Sequence, residues 1–285
     1  MINHLCVIGV GLIGGSLSLA LKKAGYVKQV TGLGRSIENL QTAKKLGVID
    51  DYQTDFAKAI PHADVVFVAV PIGAMPDVFK KIAPLLHKHV IVTDGGSAKH
   101  TIIEAAVESF GTKINQFVPG HPIAGTEKSG AEAAFDSLYE KRRVILTPLE
   151  KNTETDIKKI RNMWQAAGAQ VDEMGARHHD LVLAGTSHLP HVLAFSLVNC
   201  LNNVDDVDEI FKYAAGGFRD FTRIASSDPV MWRDICVNNA EAILAMMHNY
   251  QQDIDHLKSA IQNNDEEEIL KIFSNAKKAR DDFSM

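Results

Sequence analysis

Leu5-Cys6-Val7-Ile8-Gly9-Val10-Gly11-Leu12-Ile13-Gly14-Gly15-Ser16 decides how the rest of the chain is read. The apolar run ahead of Gly9 predicts a buried strand, and residues 12–24 predict a helix. Between them the glycines have separate duties. Gly9 permits a tight turn, Gly11 lets backbone approach a pyrophosphate, and Gly14 allows close helix–strand packing. The helix then opens with free N–H groups and the positive end of its dipole, with Leu12 and Ile13 beside the anion. A strand before this glycine pattern and a helix after it mark a dinucleotide site.

Working outward, apolar runs at 29–33, 65–70, 90–93, 115–118, 144–147 and 170–174 alternate with helical patterns. Strands that are continuously apolar and separated by helices predict a doubly wound parallel sheet covered on both faces, a Rossmann-type α/β domain. Beyond residue 175 only helical periodicity is found, at 179–201, 207–214, 229–257 and 266–280. The expected organisation is a dinucleotide-binding domain over 1–174 and an all-α domain over 175–285.

The 285 residues carry a net charge of −5, which is a poor match to nucleic acid. The three cysteines, Cys6, Cys200 and Cys236, form no CxxC pair, so neither a disulfide framework nor a cysteine metal cluster is expected. A reducing, cytoplasmic setting fits that usage. No basic segment precedes an apolar run in the manner of a signal peptide, and no membrane association is expected.

An acid at the end of the second strand would bind the ribose 2′-OH of NAD. This chain has Gly32-Leu33-Gly34-Arg35-Ser36 there. Arg35 can pair with a 2′-phosphate and Ser36 can donate to it, which favours NADP over NAD. Val70-Pro71, Gly96-Ser97 and Gly120-His121-Pro122 each come at the end of an expected strand, where ligands bind in such sheets. His121 is the group suited to handle a proton there, with Ser97 placed to hydrogen-bond its ring.

In the helical half, Ser187-His188-Leu189-Pro190-His191 puts two histidines on one helix face, and no third ligand for a metal lies nearby. Substrate contact by at least one of them is expected. Gly216-Gly217-Phe218-Arg219-Asp220-Phe221-Thr222-Arg223 supplies two arginines four apart. One can clamp a carboxylate, and the other is expected to pair with Asp220 or Glu127.

Four motifs in order resemble the prephenate/arogenate dehydrogenase family of tyrosine biosynthesis. They are GLIGGS (11–16), GHPIAGTEKSG (120–130), SHLPH (187–191) and GGFRDFTRIASSDPVMWRDI (216–235). The resemblance implies oxidative decarboxylation of prephenate or arogenate with hydride passing to a nicotinamide. It implies that His121 accepts a hydrogen bond from the ring hydroxyl, that Ser97 orients it, and that Arg223 binds a carboxylate. It places His191, His188, Thr126 and Ser187 in the substrate pocket, and Glu127, Asp220 and Trp232 in a network at its entrance. Family members commonly have Asp-Val-Gly-Ser-Val-Lys where this chain has Asp94-Gly95-Gly96-Ser97-Ala98-Lys99.

The resemblance also implies a homodimer. Leu189, Val192, Leu193, Phe195 and Leu197, with Ile243, Leu244, Met246 and Met247, are the candidate interface. With neither a mutase nor a regulatory domain expected in the chain, inhibition by tyrosine would act at the active site. The rival reading is a β-hydroxyacid or imine reductase of similar layout. It calls for a catalytic lysine on the central helix, yet no lysine lies between His178 and Val207.

Overall fold

The computed structural model describes residues 1–126, 128–205 and 207–283. Its elements run β1 (Ile2–Ile8), α1 (Leu12–Lys23), β2 (Val27–Leu33), α2 (Ile37–Lys45), β3 (Asp51–Gln53), α3 (Phe56–Ala59), β4 (Val65–Val68), α4 (Met75–Ile82), β5 (Ile91–Asp94) and α5 (His100–Phe110). Then come β6 (Gly120–Pro122), β7 (Arg143–Leu146), α6 (Glu154–Ala166), β8 (Gln170–Glu173), α7 (Ala176–Leu183), α8 (Leu189–Asn202) and α9 (Val207–Lys212). Finally α10 (Gly216–Thr222), α11 (Pro229–Asn238), α12 (Ala240–Gln262) and α13 (Glu266–Phe283) complete the chain.

Strands β1 to β5 form one parallel sheet in the order β3-β2-β1-β4-β5. The order reverses beside β1, which puts the crevice for a ligand at the carboxyl ends of β1 and β4. Ile2, Leu5, Val7, Val30, Val65 and Phe67 are all fully buried, as both-sided cover requires. Trp164 on α6 packs edge-on against Phe67 and Tyr139, with ring centroids 5.4 and 5.1 Å away. The Tyr139 hydroxyl donates to the Ile13 carbonyl at 2.6 Å, fastening the first turn of α1.

The Rossmann expectation holds, but several elements differ from the sequence reading. The short β3 was not expected. Residues 115–118 do not form a strand: a 3₁₀ segment fills Gly111–Gln116, and only Phe117 bridges to Val92. β6, β7 and β8 then make a second sheet, antiparallel at β6–β7 and parallel at β7–β8. His121 therefore lies within a strand rather than in a loop after one.

The expected helix over 179–201 is interrupted by a π-helical turn at Ala184–His188, where the Leu189 N–H reaches the Ala184 carbonyl. Pro190 explains the turn, because it has no N–H to continue the α pattern and its ring crowds the preceding turn. By length and composition, Ala176–Asn202 is apolar enough to cross a membrane, although it also carries the buried polar groups His179, Asp180 and His188. The helix expected over 229–257 breaks at Asn239, whose side chain is committed elsewhere.

By chain contacts, the described residues fall into two compact units, Met1–Ala240 and Glu241–Met285.

Candidate active site

The glycine-rich turn has the geometry that a pyrophosphate needs. Gly9 has φ +94°, and a Cβ there would lie 2.5 Å from the Ala69 carbonyl oxygen. A Cβ on Gly14 would sit 2.3 Å from the Gly9 oxygen, so this position sets how closely α1 approaches β1. At Gly11 the nearest atom to an added Cβ is the Gly130 nitrogen, at 4.0 Å. That open space lies at the start of α1, where no side chain caps the helix and its first turn contains no acid. Its N–H groups are left for an anion. These residues fit a dinucleotide.

Asn39 joins the turn to a neighbouring loop. Its Nδ2 donates to the Val10 carbonyl (2.8 Å), and its Oδ1 accepts from the Ala131 N–H (3.2 Å). Ser36 caps α2, its hydroxyl oxygen accepting from the Asn39 N–H at 3.1 Å, which leaves the hydroxyl hydrogen to donate outward. Arg35 is exposed beside it and, among the described residues, forms no ion pair. Val70 is half-buried and Pro71 exposed just beyond β4. Gly34 follows β2, and a Cβ there would make only ordinary contact with Leu40.

Past β5, Gly96 and Ser97 belong to a loop organised by a buried ion pair. Lys99 and Asp94 are both inaccessible, and Lys99 Nζ donates to Asp94 Oδ2 at 2.5 Å and to the Gly120 carbonyl at 2.7 Å. Asp94 also accepts from the N–H groups of Gly96 (2.8 Å) and Gly120 (3.1 Å). Burial pulls the Lys99 ammonium below its usual value, and Asp94 and Asp180 counter that. The pair locks β6, and hence His121, against the end of β5.

His121 is 7% exposed. Its ring partner is His179: His121 Nδ1 and His179 Nε2 are 2.9 Å apart. His179 Nδ1 meets Asp180 Oδ1 at 2.8 Å. Asp180 in turn accepts the N–H groups of Lys99 and His100, each at 2.8 Å, at the start of α5. Ser97, expected to orient His121, is half-buried and makes no hydrogen bond among the described residues, because Nδ1 is already taken by His179. Burial pushes His121 well below the ordinary histidine value, and His179, Lys99 and His188 lower it further. His179 is lowered first by burial, against the pull of Asp180.

In the helical part, His188 is buried and 3.0 Å from Asn239 Nδ2, and burial brings its pKa down to about 4. His191 stacks on Trp232 with centroids 3.7 Å apart, and its Nδ1 lies 2.8 Å from the Ser187 carbonyl. Burial and the nearby Arg223 lower the His191 pKa. Arg223, Arg219 and Asp220 are exposed, and the ion pair expected for one arginine is absent among the described residues. Thr126 is exposed, its hydroxyl accepting from the Lys128 N–H at 3.2 Å. Glu127 lies outside the described residues.

His121, His179, His188 and Asp180 thus converge from β6, α7 and the π turn, with Asn239 behind them. His179, Asp180 and Asn239 escaped the sequence reading. The available signal was His178-His179-Asp180 at the opening of an apolar helix, an unusual site for three polar residues.

Comparison with known families covers nearly the whole chain. Residues 17–173 match the nucleotide-binding domain of prephenate dehydrogenase, and residues 175–275 match its dimerization domain. A cyclohexadienyl dehydrogenase from Zymomonas mobilis is 37% identical over 98% of this chain and 95% of its own length. A prephenate dehydrogenase from Bacillus subtilis is 37% identical over 99% of this chain and 76% of its own. The crystal structure of prephenate dehydrogenase from A. aeolicus, in complex with hydroxyphenyl propionate and NAD+, has 37% identity and a TM-score of 0.93, covering 99% of each chain. The chain belongs to the prephenate dehydrogenase family of nicotinamide-dependent oxidoreductases.

Proposed function

We propose that this protein oxidatively decarboxylates prephenate, arogenate or both, as a homodimer that prefers NADP. The observation carrying the reading is His121, a buried histidine kept neutral by its surroundings and fastened, among the described residues, through one ring nitrogen only. Its other nitrogen is left for a substrate hydroxyl.

When bound, the nicotinamide accepts hydride from the ring carbon that carries the hydroxyl. His121 accepts the hydrogen bond of that hydroxyl as the carbon–oxygen bond gains double-bond character. Loss of the ring carboxylate as CO₂ returns the electron pair to the ring and makes it aromatic, and the proton stays on the product's phenol oxygen. Arg223 is assigned to anchor a carboxylate, and His191, held flat against Trp232, to form a wall of the pocket. By the family resemblance, Ser187 and Thr126 are assigned to the same pocket, Ser97 to the nicotinamide side and Asp220 to the entrance.

The pyrophosphate is assigned to Gly9, Gly11, Leu12, Ile13 and Gly14. Gly96, Val70 and Pro71 lie along the nicotinamide side. Support for NADP comes from the exposed Arg35 and from Ser36, whose hydroxyl hydrogen is free of the helix cap. Tyrosine, which is itself the product formed from arogenate, is proposed to compete at the same site.

Steady-state kinetics at 340 nm with both substrates and both cofactors test the reading. Turnover of prephenate or arogenate is expected, with NADP giving the higher kcat/KM. Failure with both substrates rejects the function, a strong NAD preference rejects the role of Arg35, and non-competitive tyrosine inhibition rejects the shared site.

A further inference from the structure

We propose that Asp180 gives the two buried histidines of the site opposite hydrogen-bonding polarity, so that His121 offers the substrate an acceptor and His188 offers a donor. Asp180, His179 and Asn239 are then positioning residues, and the assignment rests on the functional reading above only for the identity of the substrate.

The first chain starts at the Asp180 carboxylate. Burial pushes its pKa up, but the hydrogen bonds of His179, His100 and Lys99 outweigh burial and hold it ionised. An ionised carboxylate only accepts, so His179 Nδ1 carries the hydrogen of the 2.8 Å contact. A neutral imidazole has one N–H, which leaves His179 Nε2 as an acceptor. The 2.9 Å contact is therefore donated by His121 Nδ1, and His121 Nε2 is left with its lone pair. Burial holds both rings neutral, with Lys99 nearby opposing protonation.

The second chain starts at the Asp180 backbone. Asn239 Nδ2 donates to the Asp180 carbonyl at 2.8 Å. Turning the amide over would set oxygen against oxygen, so the carbonyl fixes its orientation. The second N–H of the same nitrogen then points to His188 Nδ1 at 3.0 Å, and that ring nitrogen must accept. The hydrogen of His188 sits on Nε2. That atom is buried and has no partner among the described residues.

A buried donor without a partner is rare in native proteins and marks a place that something fills. His188 lies 6.1 Å from Trp232, ring centre to ring centre, and Trp232 stacks on His191, which feels the charge of Arg223. The ligand chemistry suited to this donor beside a cation is a carboxylate oxygen of the substrate.

Nitrogen–proton correlation spectra of the full-length protein labelled in histidine read the tautomers directly. Signals are assigned through His121→Asn and His188→Asn. Hydrogen on Nδ1 of His121 and on Nε2 of His188 is expected, and the reverse at either ring overturns the proposal. These spectra need no substrate, so they stand apart from failure of turnover, which rejects the functional reading instead.

Kinetics supply the second measurement. His179→Leu removes the acceptor and is expected to lower kcat by about 10²-fold, within the range for losing a correctly held base. His179→Gln keeps a side-chain oxygen for His121 and should recover at least about tenfold of that loss. Asn239→Asp turns the contact to His188 around, and KM should rise by about tenfold, the scale of one hydrogen bond to a charged group, with kcat within a few-fold. Equal kcat in the two His179 variants, or an Asn239→Asp loss confined to kcat, would overturn the assignment.

Discussion

The five-stranded sheet and the helices after Gly175 treat their apolar residues very differently. In β1 and β4, Leu5, Cys6, Val7, Val65, Val66, Phe67 and Val68 are all fully buried within the chain. In the stretch Ala176–Asn202 the most apolar 18-residue window has a mean hydropathy of 1.5, yet only 22% of it is buried. The sheet finishes its own core, whereas α7 and α8 leave an apolar face over. Large apolar patches left by a folded chain mark interaction surfaces. The match to a dimerization domain over 175–275 supports a second copy as the cover.

The sharpest test falls on the seam between these regions, because His121 stands on a strand and its partner His179 on α7. His121→Asn should lower kcat by about 10²–10⁴-fold while KM stays within a few-fold. A near-normal kcat would remove His121 from the chemistry.

A second test presses the self-sufficient region. Gly14→Ala would drive a methyl group to 2.3 Å from the Gly9 oxygen and 2.7 Å from Val7 Cγ1. Loss of about 1–3 kcal/mol in denaturant unfolding is expected, with weakened dinucleotide binding. Unchanged stability and affinity would show that α1 is not held so tightly.

The helical region is tested at α8. Val192→Glu puts a charge on the half-buried apolar face and should weaken the dimer by at least about tenfold, read by light scattering across a dilution series. A wild type that is monomeric at every concentration would break the comparison outright.

The smallest effect is on pH dependence. His121, His179 and His188 have depressed pKa values in the folded protein because burial disfavours their charged forms. Below about pH 6.5 the unfolded chain takes up protons that the folded one refuses, so stability is complete above that pH. It should decline as pH falls toward about 4 for His188, lowering the melting midpoint by a few degrees. The acid limb of kcat should likewise lie below 6.5. A midpoint that rises between pH 7 and 5 would contradict the burial.

How much the sequence disclosed follows the same division. The glycine turn, β1, β2, β4 and β5 were legible because each is a local pattern, apolar runs broken by residues with one conformational use. β6 was misread because three residues, Gly120–Pro122, show no periodicity, and their pairing with β7 is set by partners more than 20 residues on. The His121–His179 contact spans 58 residues, and Asp180–Asn239 spans 59, so no local signal reports them. Ser97 takes the orienting role in the sequence because it and His121 both follow expected strands and because of the family resemblance; the structure gives the ring to His179, which no strand-end pattern could indicate.

The π turn at Ala184–His188 has a geometric consequence for the two histidines on either side of it. In an unbroken α-helix each residue advances about 100°, so His179 and His188, nine positions apart, would face opposite ways, about 180° from each other. A π turn absorbs one residue of that advance, and the angle closes to about 80°. Both rings can then look into the same space. Deleting a single residue there would remove the bulge and leave that angle unchanged, because eight α-helical steps also come to about 80°, whereas ordinary winding at the present length would turn the two rings apart again. The extra residue of the π turn is what lets two histidines nine positions apart share one face of the helix.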